Sequence, residues 1–173
     1  MGIAEDLLRQ ADHLATYEGL NPSQASLRRA VSTAYYALFH LLVEAAAVRW
    51  SGSPEAQTGM QRGFQHGAMK SVSQQFVNQS WRDWHGIQQS VPVAIREIAS
   101  AFIDLQDERH AADYDNHEQW RTLDVKEVLD LARSAFQRWH SISTVRWRAT
   151  IFLRCCSANS AREKLTRRRP VRE

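Results

Sequence analysis

The stretch from Leu27 to Ala45 constrains this chain more than any other. Leu27, Val31, Ala34, Leu38, Leu41 and Ala45 recur every three or four positions, the period of one helix face. Tyr35, Tyr36, Phe39, Leu42 and Val43 spread apolar bulk around much of the remaining circumference. A helix that is apolar on more than one side must be surrounded by other helices. The spacing therefore predicts a central helix over roughly 22–49, inside a bundle. NPSQ supplies its start, with Asn21 as cap, Pro22 in the first turn and Gln24 at the capping-box position.

The same period recurs along the chain. Ile3, Leu7, Ala11 and Leu14 predict a first helix over roughly 2–18, stopped by Gly19. After the linker SGSPEAQTG, four-residue steps through Met60, Phe64, Ala68, Val72 and Phe76 predict another over roughly 60–78. Residues 79–90 read as a loop, and Ile95, Ile98, Phe102 and Leu105 mark a helix that begins near Pro92. The last helix is expected to start at Asp124 as N-cap, with Glu127 as its capping-box partner and Leu123 stapled to Val128. Val125, Val128, Ala132, Phe136, Trp139 and Ile142 carry its core face. No period-two run competes with these patterns. The expected fold is all-α, an antiparallel up-and-down bundle of four to five helices.

Past Thr144 the apolar pattern fails, and charge takes over the argument. The net charge of +3 conceals a division: residues 146–173 hold nine Arg/Lys against two acids, and the remainder is mildly acidic. The expected organisation is a bundle over 1–145 and a basic extension over 146–173, disordered from about 157. A basic pI is thus weak evidence that the body itself binds a polyanion.

Several classes are expected to be absent. MGIAEDLLRQ has two acids and no apolar run, unlike a signal or anchor, and no eighteen-residue apolar window suggests a membrane span. The two cysteines, Cys155 and Cys156, are adjacent and give neither a disulfide framework nor a zinc spacing, so a cytoplasmic location is expected. There is no G-x-G-x-x-G, P-loop or H-E-x-x-H, and the scattered histidines predict no metal site; no cofactor is expected.

Chemistry-bearing side chains concentrate in LQDERHAADYDNH, residues 105–117. Arg109 continues the apolar seam of its helix, and Asp113 lies one turn on, placed to pair with it. The cluster reads first as a structural tie lining a binding site, and alternatively as a direct binding or catalytic group. Tyr114 is expected to pack in the bundle with its hydroxyl hydrogen-bonded. Ser32, Tyr36 and His40 form a polar line on the central helix, facing another helix or flooring a pocket shared with Arg109. Arg62, His66 and Lys70, at four-residue steps, read as a solvated face opposite Phe64 and Phe76, or else as a phosphate-contacting strip. Trp81, Trp84 and His85 read as a cap on the bundle end, or as a platform for a base.

Two segments carry a resemblance beyond periodicity. SLRRAVSTAYYALFHLL, residues 26–42, resembles the second-helix signature of HEPN-domain proteins, and LQDERHAADYD resembles the Arg-x-x-Ala-Asp-Tyr segment of one branch. The resemblance spans roughly residues 20–140. It implies a helical bundle that forms a homodimer, associates with RNA or nucleotides, and often partners a small nucleotidyltransferase in toxin–antitoxin or stress systems. Ribonuclease members pair an arginine with a histidine that follows after four to six intervening residues, using no metal: histidine moves the 2′-hydroxyl proton and arginine stabilises charge at phosphorus. Here Arg109 and His110 match the start of that motif, but the closing His117 follows after seven intervening residues. Arg133 and His140 have the spacing in the wrong helix. The resemblance therefore implies a binding or partner role first, with RNA cleavage by Arg109 and His110 or His117 as the alternative.

Overall fold

A computed structural model describes residues 2–19, 21–50, 64–82 and 86–142, with side chains up to Val48 in the second of these stretches. They form five helices: α1 (Ile3–Thr16), α2 (Gln24–Trp50), α3 (His66–Val77), α4 (Val93–Tyr114) and α5 (Thr122–Ser141). No strand lies among the described residues; the loop after α3 contributes one isolated bridge, Arg82 to Gln88. The protein is an all-α helical bundle.

Helix α2 is the centre, packing against α1, α4 and α5. Leu27, Val31, Ala34, Leu38 and Leu41 are buried, and so are Tyr35, Phe39, Leu42 and Val43 on its other sides. By length and composition alone, Gln24–Val48 is apolar enough to cross a membrane, which corrects the sequence expectation. Seventy-two per cent of that window is buried inside the bundle, as befits a core helix. The cap also differs: Ser23, rather than Asn21, accepts the Ser26 N–H at 3.2 Å. Gln24 is thereby released for a contact described below.

Helix α1 lies on α2 through Ala4, Ala11 and Ala15, with Leu7, Leu8 and Leu14 partly buried beside them. Ile3, expected on that face, is 52% exposed. Three alanines let the two helix backbones approach closely. Gly19 takes a positive φ of 74°, which ends the helix as expected. In α3 the buried side chains are Met69, Val72 and Phe76, with Phe64 buried just ahead of the helix, so Met69 replaces Ala68 on the core stripe. Trp81 closes the bundle beyond α3, its ring 5.9 Å from Phe76. Trp84 and His85 lie outside the described residues, as do the linker 51–59 and the basic extension.

Helix α5 starts earlier than its sequence suggests. Arg121 is the N-cap and Asp124 sits at the third helical position, reaching back to the Arg121 N–H at 3.1 Å. Leu123 is 69% exposed and staples nothing. The staple positions fall instead on Trp120 and Val125, and both are buried.

Candidate functional site

The polar line on α2 is longer than Ser32, Tyr36 and His40. Gln24 and Arg28 extend it at the same four-residue step, and together these side chains hold the C-terminal end of α4 and the chain after it. The Gln24 amide donates to the Trp120 carbonyl at 2.7 Å and accepts the Trp120 N–H at 2.9 Å. The Arg28 guanidinium donates to the carbonyls of Ala112, Asp115 and Glu118 at 2.8, 2.8 and 2.6 Å. A helix leaves its last carbonyls without partners, and a cation there also meets the negative end of the helix dipole. From the sequence Gln24 has a capping role and Arg28 none; continuing the i, i+4 step back from Ser32 places both on this line.

One turn further along, the line meets the Arg109–Asp113 cluster in the last turns of α4. Ser32 donates to Asp113 Oδ1 at 2.5 Å, and Arg109 Nε lies 2.7 Å from the other oxygen, Oδ2. That second contact is an ion pair off the N–H axis, so it is not a directed hydrogen bond. The Arg109 Nη2 donates to the Tyr36 hydroxyl at 3.0 Å. Both side chains of the pair are shielded, with 18% and 22% of their surface exposed. The guanidinium is also flanked by two rings, its carbon 5.5 Å from the Tyr36 centroid and 5.7 Å from that of Tyr114. Arg109 thus continues the seam with its stem, and its head joins α2 to α4.

Tyr114 departs from expectation. It is 64% exposed rather than packed in the bundle, with its ring near the Arg109 guanidinium and 4.9 Å from the tilted imidazole of His110. His110 and Tyr114 therefore form an exposed aromatic step at the end of α4. His117 lies past the helix end, exposed, with its backbone N–H donating to Asp115 Oδ1 at 2.9 Å.

His66 is the larger correction. Instead of a solvated face, it enters the centre of the site. Its Nδ1 is 2.6 Å from the Tyr35 hydroxyl, and its ring stacks on Phe39 at 4.3 Å and meets Tyr36 edge-on at 5.9 Å. Burial holds the imidazole below its ordinary value, and the nearby Arg109 and His40 add to that. Burial lowers His40 as well and raises the Tyr35 hydroxyl, where Arg109 partly opposes it. A neutral His66 can accept the Tyr35 hydroxyl proton at Nδ1, in the tautomer that carries its own proton on Nε2. Lys70, one turn on, pairs with Asp107 of α4. The His66–Lys70 line therefore faces α2 and α4, and Arg62 lies outside the described residues.

The chemistry available here is that of a neutral histidine and an arginine already engaged by a carboxylate. No group of three or more His, Cys, Asp or Glu among the described residues could hold a metal ion. Arg133 and His140 have separate duties: Arg133 forks between Asp12 of α1 and Asp130, and His140 Nδ1 sits 2.8 Å from the Phe136 carbonyl. Compared with protein-family models, curated proteins and solved structures, the chain finds no match.

Proposed function

We propose that this is a HEPN-like bundle that binds single-stranded nucleic acid or a nucleotide and does not cleave it. The observation that carries this reading is the exposed Tyr114 ring, held beside the Arg109 guanidinium and the His110 imidazole. A base has a π-face for such a ring, and stacking of this kind contributes about 1–3 kcal/mol per base. Asp113 and Tyr36 hold the arginine in place, so the platform is organised before a ligand arrives. Under this reading the chain forms a homodimer in the cytoplasm and meets a nucleotidyltransferase as its protein partner, in a toxin–antitoxin or stress setting.

Metal-independent RNA cleavage is the second reading, with Arg109 as the phosphate contact and His110 or His117 as the proton carrier. In its favour, His110 stands beside Arg109 and Tyr114 on the same helix end. Against it, Asp113 already neutralises Arg109, and a scissile phosphate would have to displace that carboxylate. Purified protein incubated with total RNA in EDTA decides between them on a gel. Intact RNA with a mobility shift supports binding; discrete fragments establish cleavage; unshifted, intact RNA leaves the protein partner as the working function.

A further inference from the structure

A groove of about 340 Å³ runs between α4 and α5, and small side chains leave it open. Ser100 and Ala101 lie on one side, Ser134 and Ala135 on the other. Glu97 and Asp104 stand on the α4 wall, and Arg138, the cation in the lining, is paired with Glu97 at 2.7 Å. The acidic wall continues one turn on at Glu108. Burial and then the carboxylates of Glu118, Asp104, Asp107 and Asp124 push its carboxyl above the usual range, so all five groups share one region. Lys70 engages Asp107 and Arg121 engages Asp124. Among the described residues no cation pairs with Asp104, Glu108 or Glu118.

We propose that the basic C-terminal segment, residues 146–173, folds back along this groove of its own chain and sets its arginines against Asp104, Glu108 and Glu118. Three observations converge on that occupant. The first is charge complementarity: the segment holds nine Arg/Lys against two acids, facing a wall with uncompensated carboxylates. The second is position, because the chain leaves α5 at Ile142, one turn past Arg138 at the near end of the groove. The third is reach. Asp104 lines the groove with Arg138, and the far end of the wall, near Asp124 at the start of the 20-residue helix α5, lies about 30 Å from Ile142 at 1.5 Å per residue. The 22 residues from Ile142 to Lys164 are enough to cover that span, about 33 Å at 1.5 Å per residue if helical and more if extended. Tethering within reach gives an effective concentration on the order of millimolar, so weak individual ion pairs suffice. The groove's small residues admit the arginine stems, and the carboxylates meet their heads.

The consequence is a switch in charge display. With the segment seated, the acidic groove and the basic residues mask one another; a polyanion that draws the segment away exposes both. This is independent of the aromatic platform at Tyr114 and does not require the protein to bind RNA.

Lys164, the one lysine of the segment, allows a direct test on the full-length chain. A carbodiimide joins a lysine amine to a carboxylate only when the two are in contact. Isotopically heavy and light protein would be mixed, treated at low salt, and the linked peptides read by mass spectrometry. The expected result is Lys164 joined to Asp104, Glu108 or Glu118 within one chain, with heavy–heavy and light–light links alone. The links should disappear at molar salt, where screening is nearly complete. They should also disappear in an Asp104→Asn, Glu108→Gln, Glu118→Gln variant that melts like the parent. Heavy–light links would overturn the proposal in favour of a second copy. Links to distant carboxylates such as Glu5 or Asp6, or none at all, would overturn docking altogether.

Discussion

Arg109 and Asp113 are where single side chains decide between support and chemistry. Removing either leaves the other shielded and partnerless, apart from Ser32 on the carboxylate and Tyr36 on the guanidinium. Arg109→Ala and Asp113→Ala should each lower the urea midpoint, and the double variant should cost less than their sum by about 0.5–3 kcal/mol. Strict additivity would show that the pair is not energetically coupled. His117→Ala, by contrast, touches an exposed loop position and should leave both the midpoint and the RNA gel unchanged. Loss of a cleavage activity in that variant would establish the endonuclease reading. The neighbouring histidines give a pH signature. His40 and His66 are both lowered in the fold. Above the ordinary imidazole value of about 6.5, both are neutral folded and unfolded, and the full stability is present. As pH falls below it, the unfolded chain takes up protons that the folded cluster refuses, and stability declines until the lowered folded values are passed. A His40→Gln, His66→Gln variant should lose that part of the dependence; an unchanged profile would place the titrating groups elsewhere.

At the scale of elements, the clamp from α2 onto the end of α4 is the least replaceable contact. Arg28 serves three carbonyls, and a hydrogen bond to a charged group contributes about 1.5–3 kcal/mol net where water is excluded, less where it is exposed as two of these are. Arg28→Ala should therefore destabilise the fold by about 2 kcal/mol, with Arg28→Lys recovering only part, because an ammonium lacks the planar fork. A midpoint shift without a change in the denaturant slope is the readout; no shift would reduce the clamp to a surface contact. This clamp also marks where the sequence was legible. Leu27 through Leu41 and Ile95 through Leu105 announce their helices because burial leaves a period that can be counted. Helix starts were less legible: Asp124 satisfies the rules for an N-cap and for the third position of a capping box alike, and only the burial of Trp120 chooses between them. His66 was misread because α3 is short and its polar residues also recur at a helical step. A step of four says that side chains share a face, but not whether that face meets solvent or another helix's tyrosines. Arg109 was readable as a tie because one charged residue in an apolar seam has few alternatives. Tyr114 was not, since nothing local tells an aromatic at a helix end which side of the last turn will be covered.

For the whole molecule, charge and shape are divided in a way that makes its interactions separable. The bundle is mildly acidic and the extension is basic, so any polyanion meets two different surfaces. If nucleic acid is held mainly by the extension, affinity depends on counterions released from phosphates, with a slope of about 0.7 per contact on a single strand. Replacing Arg167, Arg168 and Arg169 by Gln should then reduce the log–log salt slope by about two, while stacking on Tyr114 leaves a salt-insensitive remainder. Tyr114→Ala should do the reverse, lowering affinity at every salt concentration with the slope retained. The two variants can share a binding assay because they act on different terms, one electrostatic and screened, the other short-range and not. If the arginine variant leaves the slope intact, the phosphate contacts belong to the bundle, with Arg62 and Lys70 the first to replace. If Tyr114→Ala leaves affinity intact, the exposed ring is not a base platform, and its surface becomes available to a protein partner instead. Light scattering on the same samples bears on self-association: a homodimer scatters as twice the 19.9 kDa chain at micromolar concentration, and a lone 19.9 kDa species removes it.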